Sequence, residues 1–179
     1  MVLLCSWSGV MIFYVMIRTK FHWTAPRYGY CLLFAMAALC ATWPALITNA
    51  FLSRETELWF EASIRLNRFL GFFMGAGMGE EFWRMGAGMF VLLLIGKDSG
   101  DARRILGFVT VGATFGVMEN LIAYSALSPS TLIYRGLSAV PFHATMGMVH
   151  GICVNRSIRT GRIYPLFLGY FAAVYVHTL

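Results

Sequence analysis

Glu80, Glu81, Arg84, Glu119, Arg135, His143, His150 and His177 are the side chains of this sequence best able to do chemistry, and each falls inside a long apolar run. An ionisable group within a bilayer costs on the order of 2.5–3.5 kcal/mol even on the most lenient insertion scale, so each needs a partner or a task. Carboxylates beside histidines can pass protons, ligate a cation or line an ion path. Glu81 lies three residues before Arg84 and Glu80 four, so either could bond to it along one helix face. That pairing accounts for Arg84 but not for Glu119 or the histidines. His143, Gly147 and His150 share a face by their spacing. His150 is expected nearer the cytoplasmic helix end, packed or facing water, off the level of the other groups. Asn120 adjoins Glu119 but points about 100° away on an ideal helix, where it can cap a contact or give a hydrogen bond.

The elements that position these groups are apolar helices. Of 179 residues, 59% are hydrophobic and 12% charged, against roughly 25% charged in a soluble domain. That balance excludes a soluble globular domain, and it excludes disorder, which requires low hydrophobicity. Six apolar runs stand out, at about 2–17, 28–52, 69–95, 105–127, 132–154 and 163–179. None alternates as a strand would, and only helices or closed barrels span lipid. The fold class expected is therefore all-α: a polytopic membrane bundle of about six transmembrane helices in one domain, 1–179. Residues 1–68 hold the first two spans and, over 53–68, a mixed charged and apolar stretch suited to an interfacial helix. The first run has no basic flank or small-residue cleavage site and reads as a retained helix, not a signal peptide. Cys5, Cys31, Cys40 and Cys153 have no paired spacing and read as packing residues.

The net charge of +6 does not point to nucleic acid, because the basic residues sit at the ends of apolar runs, as topology determinants do. Nine of them (Arg18, Lys20, Arg27, Lys97, Arg103, Arg104, Arg156, Arg159, Arg162) fall in odd-numbered loops, against three (Arg54, Arg65, Arg68) in the second loop. The odd loops are expected to be cytoplasmic, with the N-terminus outside. Counted from the cytoplasmic end of each span, Glu80, Glu81, Glu119, His143 and His177 then fall roughly 18–22 Å deep. Helices of alternating direction bring them to one mid-membrane level, as a buried polar site would. Glycines at 71, 75 and 79, at 112 and 116, and at 147 and 151 allow the close helix contact this needs.

Several of these residues resemble motifs of the PrsW family of intramembrane proteases, relatives of the CAAX-prenyl endopeptidase and bacteriocin-processing superfamily. Glu80-Glu81-Phe82-Trp83-Arg84 is similar to the family's EExxK/R element, and Phe115-Gly116-Val117-Met118-Glu119-Asn120, with Tyr124 beyond, to its FxxxEN…Y element. Arg135 followed by His143, Gly147 and Gly151 resembles its R…HxxxGxxxG segment, and His177 its terminal histidine. The resemblance covers about 70–179. It departs in two places: Arg84 stands where lysine is commoner, and the acidic or amide residue that normally follows the last histidine is not in this sequence.

The resemblance implies hydrolysis of a membrane-anchored protein, such as an anti-sigma-factor-like regulator, in a prokaryotic cytoplasmic membrane. The chemistry needs an activated water, a stabilised oxyanion and a proton donor for the leaving amine. A carboxylate out of water is a strong base, so Glu80 is expected as general base, with Glu81 the alternative. His143 or His177 would orient the water and give the proton, and Glu119 would hold a histidine in the right tautomer. Arg135 and Asn120 are candidate oxyanion donors. No cofactor is needed in this reading. The rival is a zinc site of Glu119, His143 and His177. From other classes come a proton- or ion-coupled transporter, for which no internal repeat is visible, and an inactive relative that only binds membrane proteins.

Overall fold

The computed structural model describes residues 28–59, 64–96 and 100–178, and the regular structure among them is entirely helical. α1 is Tyr28–Trp59. α2, Ile64–Gly71, runs without a break through a π-helical stretch, Phe72–Glu80, into α3, Glu81–Ile95. α4 is Asp101–Ile122, α5 Pro129–Thr160 and α6 Tyr164–Thr178. The apolar run at 2–17 lies outside the described residues. Residues 53–59 continue α1 instead of starting a surface helix at 53. No Gly or Pro interrupts Leu52–Trp59, and Arg54, Glu55 and Glu57 are good helix formers, so the α1 ladder simply propagates.

Local signals set the helix ends that hold the bundle in register. Ser128 caps α5, its Oγ accepting from the Thr131 N–H at 3.3 Å, with Pro129 at the first helical position. Gly161, at φ 66°, closes α5 in the left-handed conformation that only glycine adopts without strain. Three stretches, Gly29–Glu55, Asp101–Ile122 and Pro129–Thr160, are long and apolar enough to cross a membrane. Of these α4 is the most enclosed, with Phe108, Val111 and Phe115 fully buried. Trp43 and Phe51 on α1, Phe82, Phe90 and Leu93 on α3, and Phe167, Leu168 and Phe171 on α6 face outward. Such an exterior would associate in water and is stable against lipid.

α4 and α5 meet backbone to backbone. A Cβ at Gly112 would overlap the His143 carbonyl oxygen, and one at Gly147 would overlap that of Phe108. This contact sets His143 beside Glu119, so the glycine spacing serves the site as well as the packing. Gly147→Val should therefore drive the two helices apart and lower the unfolding midpoint in detergent, by about 1–3 kcal/mol of stability. Gly86→Ala, where a Cβ meets nothing within 4 Å, should leave the midpoint unchanged or raise it.

Candidate active site

Arg84, 1% exposed, is the centre of a buried polar cluster drawn from four helices. From α3 its Nη2 donates to Oε1 of Glu81, one turn earlier on the same helix, and lies 2.8 Å from Nδ1 of His177 on α6. Its Nη1 donates to Nδ1 of His143 on α5, and its guanidinium lies 5.0 Å from the Phe115 ring centroid on α4. Because a guanidinium can only donate, His143 Nδ1 must accept. The His143 proton is thus on Nε2, which donates to Glu119 Oε2 at 3.0 Å. Both ring nitrogens of His143 are committed.

A second arginine fixes the other carboxylate. Arg135 donates from Nε to Asn120 Oδ1 at 2.9 Å and from Nη2 to Glu119 Oε2 at 3.2 Å, and its guanidinium stacks 3.5 Å over Tyr124. The ideal-helix angle between Glu119 and Asn120 does not keep them apart, because one forked side chain spans both. Glu81 thus pairs with Arg84 and Glu119 with Arg135.

Glu80 stands apart from Arg84. Its Oε1 accepts from Asn49 Nδ2 of α1 at 3.0 Å. Its Oε2 is buried without a hydrogen-bond partner among the described residues, 3.8 Å from His177 Nε2. Glu80 and His177 both line a cavity of about 640 Å³ whose wall also includes Asn49, Glu119, Arg135 and His143. The cavity runs toward the end of the bundle carrying Asn67, Arg68 and Tyr124.

The structure corrects one placement and adds residues that the motifs did not mark. His150 is not remote from the cluster: its buried Nε2 lies 3.5 Å from Glu81 Oε2, because α5 packs against the inner end of α3 and the seven-residue step down α5 keeps it on the same face as His143. Asn49 and Ser53 come from a helix in which no motif is visible. Their one signal was two polar side chains at i, i+4 within an apolar run. Trp83 Nε1 donates to Thr48 Oγ1 at 3.1 Å, and Tyr170 OH donates to the Met78 carbonyl at 2.9 Å, tying α1 and α6 to the segment that presents Glu80.

A sequence model of one protein family, described as PrsW family intramembrane metalloprotease, matches residues 25–179. No similar curated protein and no similar solved structure was found. The description raises the question of a metal. As arranged, the side chains do not fit one: both nitrogens of His143 and Oε2 of Glu119 are taken by protein partners, and a fixed cation, Arg84, lies between Glu81, His143 and His177. No three His, Cys, Asp or Glu among the described residues form a ligand set.

Removing Arg84 leaves Glu81 without its counter-charge in a water-poor interior. Arg84→Ala should cost about 3–5 kcal/mol and sharply lower folded yield in detergent. Arg84→Lys keeps the charge but offers its three donors from a single nitrogen instead of a planar fork that reaches Glu81, His143 and His177 at once, so yield should recover substantially while cleavage stays low. Equal yields for wild type and Arg84→Ala would contradict the central role of this side chain.

Proposed function

Because the chain belongs to the PrsW family of intramembrane proteases, we propose that it hydrolyses a peptide bond in or near the membrane segment of a membrane-anchored protein, using a water activated by Glu80 and no metal. The observation that carries this reading is the pairing of two cavity-lining residues, Glu80 and His177, whose Oε2 and Nε2 lie 3.8 Å apart. That gap is too long for a direct hydrogen bond and suits one oxygen about 2.8 Å from each. His177 Nδ1 lies 2.8 Å from Arg84 Nη2 and 2.9 Å from Glu81 Oε1; in this reading it accepts from Arg84, and the ring proton is on Nε2, pointing at the same place. Water gives a proton to Glu80 Oε2 as its oxygen attacks the carbonyl carbon, and the C=O electrons move onto the carbonyl oxygen. Collapse of that adduct breaks the C–N bond, and Glu80 returns the proton to the leaving nitrogen. His177 Nε2–H orients the attacking water toward the carbonyl carbon. His143, with both nitrogens engaged, holds Arg84 and Glu119 in place and does not shuttle the proton.

In the same reading the chain crosses a prokaryotic cytoplasmic membrane about six times with its N-terminus outside and the site at mid-membrane depth. Arg103, Arg104, Arg156, Arg159 and Arg162 cluster at one end of the bundle, where the positive-inside bias places the cytoplasm. The cavity runs toward the opposite end, so the scissile segment approaches from the outer side. The partner is a membrane-anchored regulator of the anti-sigma-factor kind.

Glu80→Gln keeps the size of the side chain but removes its basicity. Cleavage of a single-span substrate by the purified variant should fall roughly 10²–10⁴-fold with normal folded yield. Normal cleavage by both Glu80→Gln and Glu81→Gln would remove the protease mechanism, and flux across liposomes surviving in them would point to transport instead.

A further inference from the structure

Glu80 can act as described only if one carboxylate oxygen is held and the other left free, and the group that makes this distinction lies outside every recognised motif. We propose that Asn49 is the positioning residue of the site: its side-chain amide holds Glu80 Oε1 so that Oε2 is presented to the cavity and to His177. The inference rests on the reading of Glu80 as general base.

Three contacts define the amide. Its NH2 donates to Glu80 Oε1 at 3.0 Å. Its carbonyl accepts from Ser53 Oγ, one turn along α1, at 3.2 Å. With both ends engaged the amide has one orientation, NH2 toward the carboxylate, and cannot turn over without losing both bonds. The third contact is a space. A Cβ on Gly75 would overlap Asn49 Oδ1 and come 2.9 Å from Ser53 Oγ, so glycine at this place in the π-helical stretch admits the pair.

The register of α1 against this stretch is fixed independently. Trp83 Nε1 bonds to Thr48 Oγ1, and Gly79 packs 3.2 Å (as a Cβ) from Thr48 Cγ2. Thr48 adjoins Asn49, and Trp83 lies one turn beyond Glu80, so the Trp83–Thr48 bond delivers Asn49 to Glu80 and to no other carboxylate. Asn49 and Ser53 both line the cavity, so the arrangement stands at the substrate's side of the carboxylate and not behind it.

A hydrogen-bonding support of a reactive group typically contributes about 10- to 100-fold to activity. Asn49→Ala and the isosteric Asn49→Asp, measured on purified protein against a single-span substrate, should lower kcat by about that factor with KM unchanged. Ser53→Ala, which removes only the brace, should give a smaller loss in kcat, and Gly75→Ala a loss like that of Asn49→Ala. In a Glu80→Gln background, Asn49→Ala should reduce the residual cleavage no further, because its effect passes through Glu80. A general structural role would lower cleavage in both backgrounds alike. Wild-type kcat in the Asn49 variants with Glu80→Gln inactive would overturn this inference alone. Wild-type kcat in Glu80→Gln would overturn the reading of Glu80 itself. Loss of folded protein in both Asn49 variants, with Ser53→Ala at full kcat, would show Asn49 to be structural only.

Discussion

A guanidinium group withdrawn from water is tolerable only where acceptors already surround it, because the charge and each N–H left unmet would otherwise cost several kcal/mol. Arg84 meets that requirement at its two terminal nitrogens, with Glu81 from its own helix, His143 from α5 and His177 from α6, beneath the face of Phe115 from α4, while its Nε–H has no hydrogen-bond partner among the described residues. Four helices therefore have to be in place before the terminal nitrogens of this one side chain are surrounded. The same contacts decide the protonation pattern, since an obligate donor forces His143 Nδ1 to accept and turns its other nitrogen toward Glu119. Stability of the bundle and organisation of the site are one problem here, solved by one residue.

The backbone arrangement follows from what must come close. α4 and α5 touch through glycines 112 and 147, which brings the Glu119–His143 pair within bonding distance. On the other side the π-helical stretch Phe72–Glu80 lies between α1 and α6, its glycines against Asn49, Thr48 and Val174. π-helical turns are rare and recur at functional sites. Here the wider winding ends at Glu80 and turns that carboxylate to Asn49, while Glu81, the first residue of ordinary α-helix, turns to Arg84. Two adjacent glutamates thus acquire different partners and different capacities.

Much of this was legible in the sequence, and the rest was not for identifiable reasons. Five of the six apolar runs fall on described helices, because uninterrupted apolar length is a strong signal. Glu80, Glu81, Arg84, Glu119, His143 and His177 stood out because charge in such a run needs a reason, and the structure brings all six together. Spacing alone left both glutamates as partners for Arg84; the local π winding, invisible in residue types, separates them. His150 read as peripheral because depth was counted along its own helix, whereas its neighbour, Glu81, belongs to another. Asn49 was hidden for a similar reason: a neutral amide in an apolar helix carries little cost and therefore little signal, and its meaning lies in a contact 31 residues away in sequence.

In the proposed mechanism a side-chain cation, Arg84, takes the organising place that a metal ion would hold, leaving Glu80 to activate water. Cleavage of a membrane-anchored substrate by purified protein, assayed after exhaustive chelation with the metal content measured on the same sample, tests it directly. A metal-free site predicts undiminished cleavage at far less than stoichiometric metal. Activity lost on chelation and restored by added zinc would contradict it.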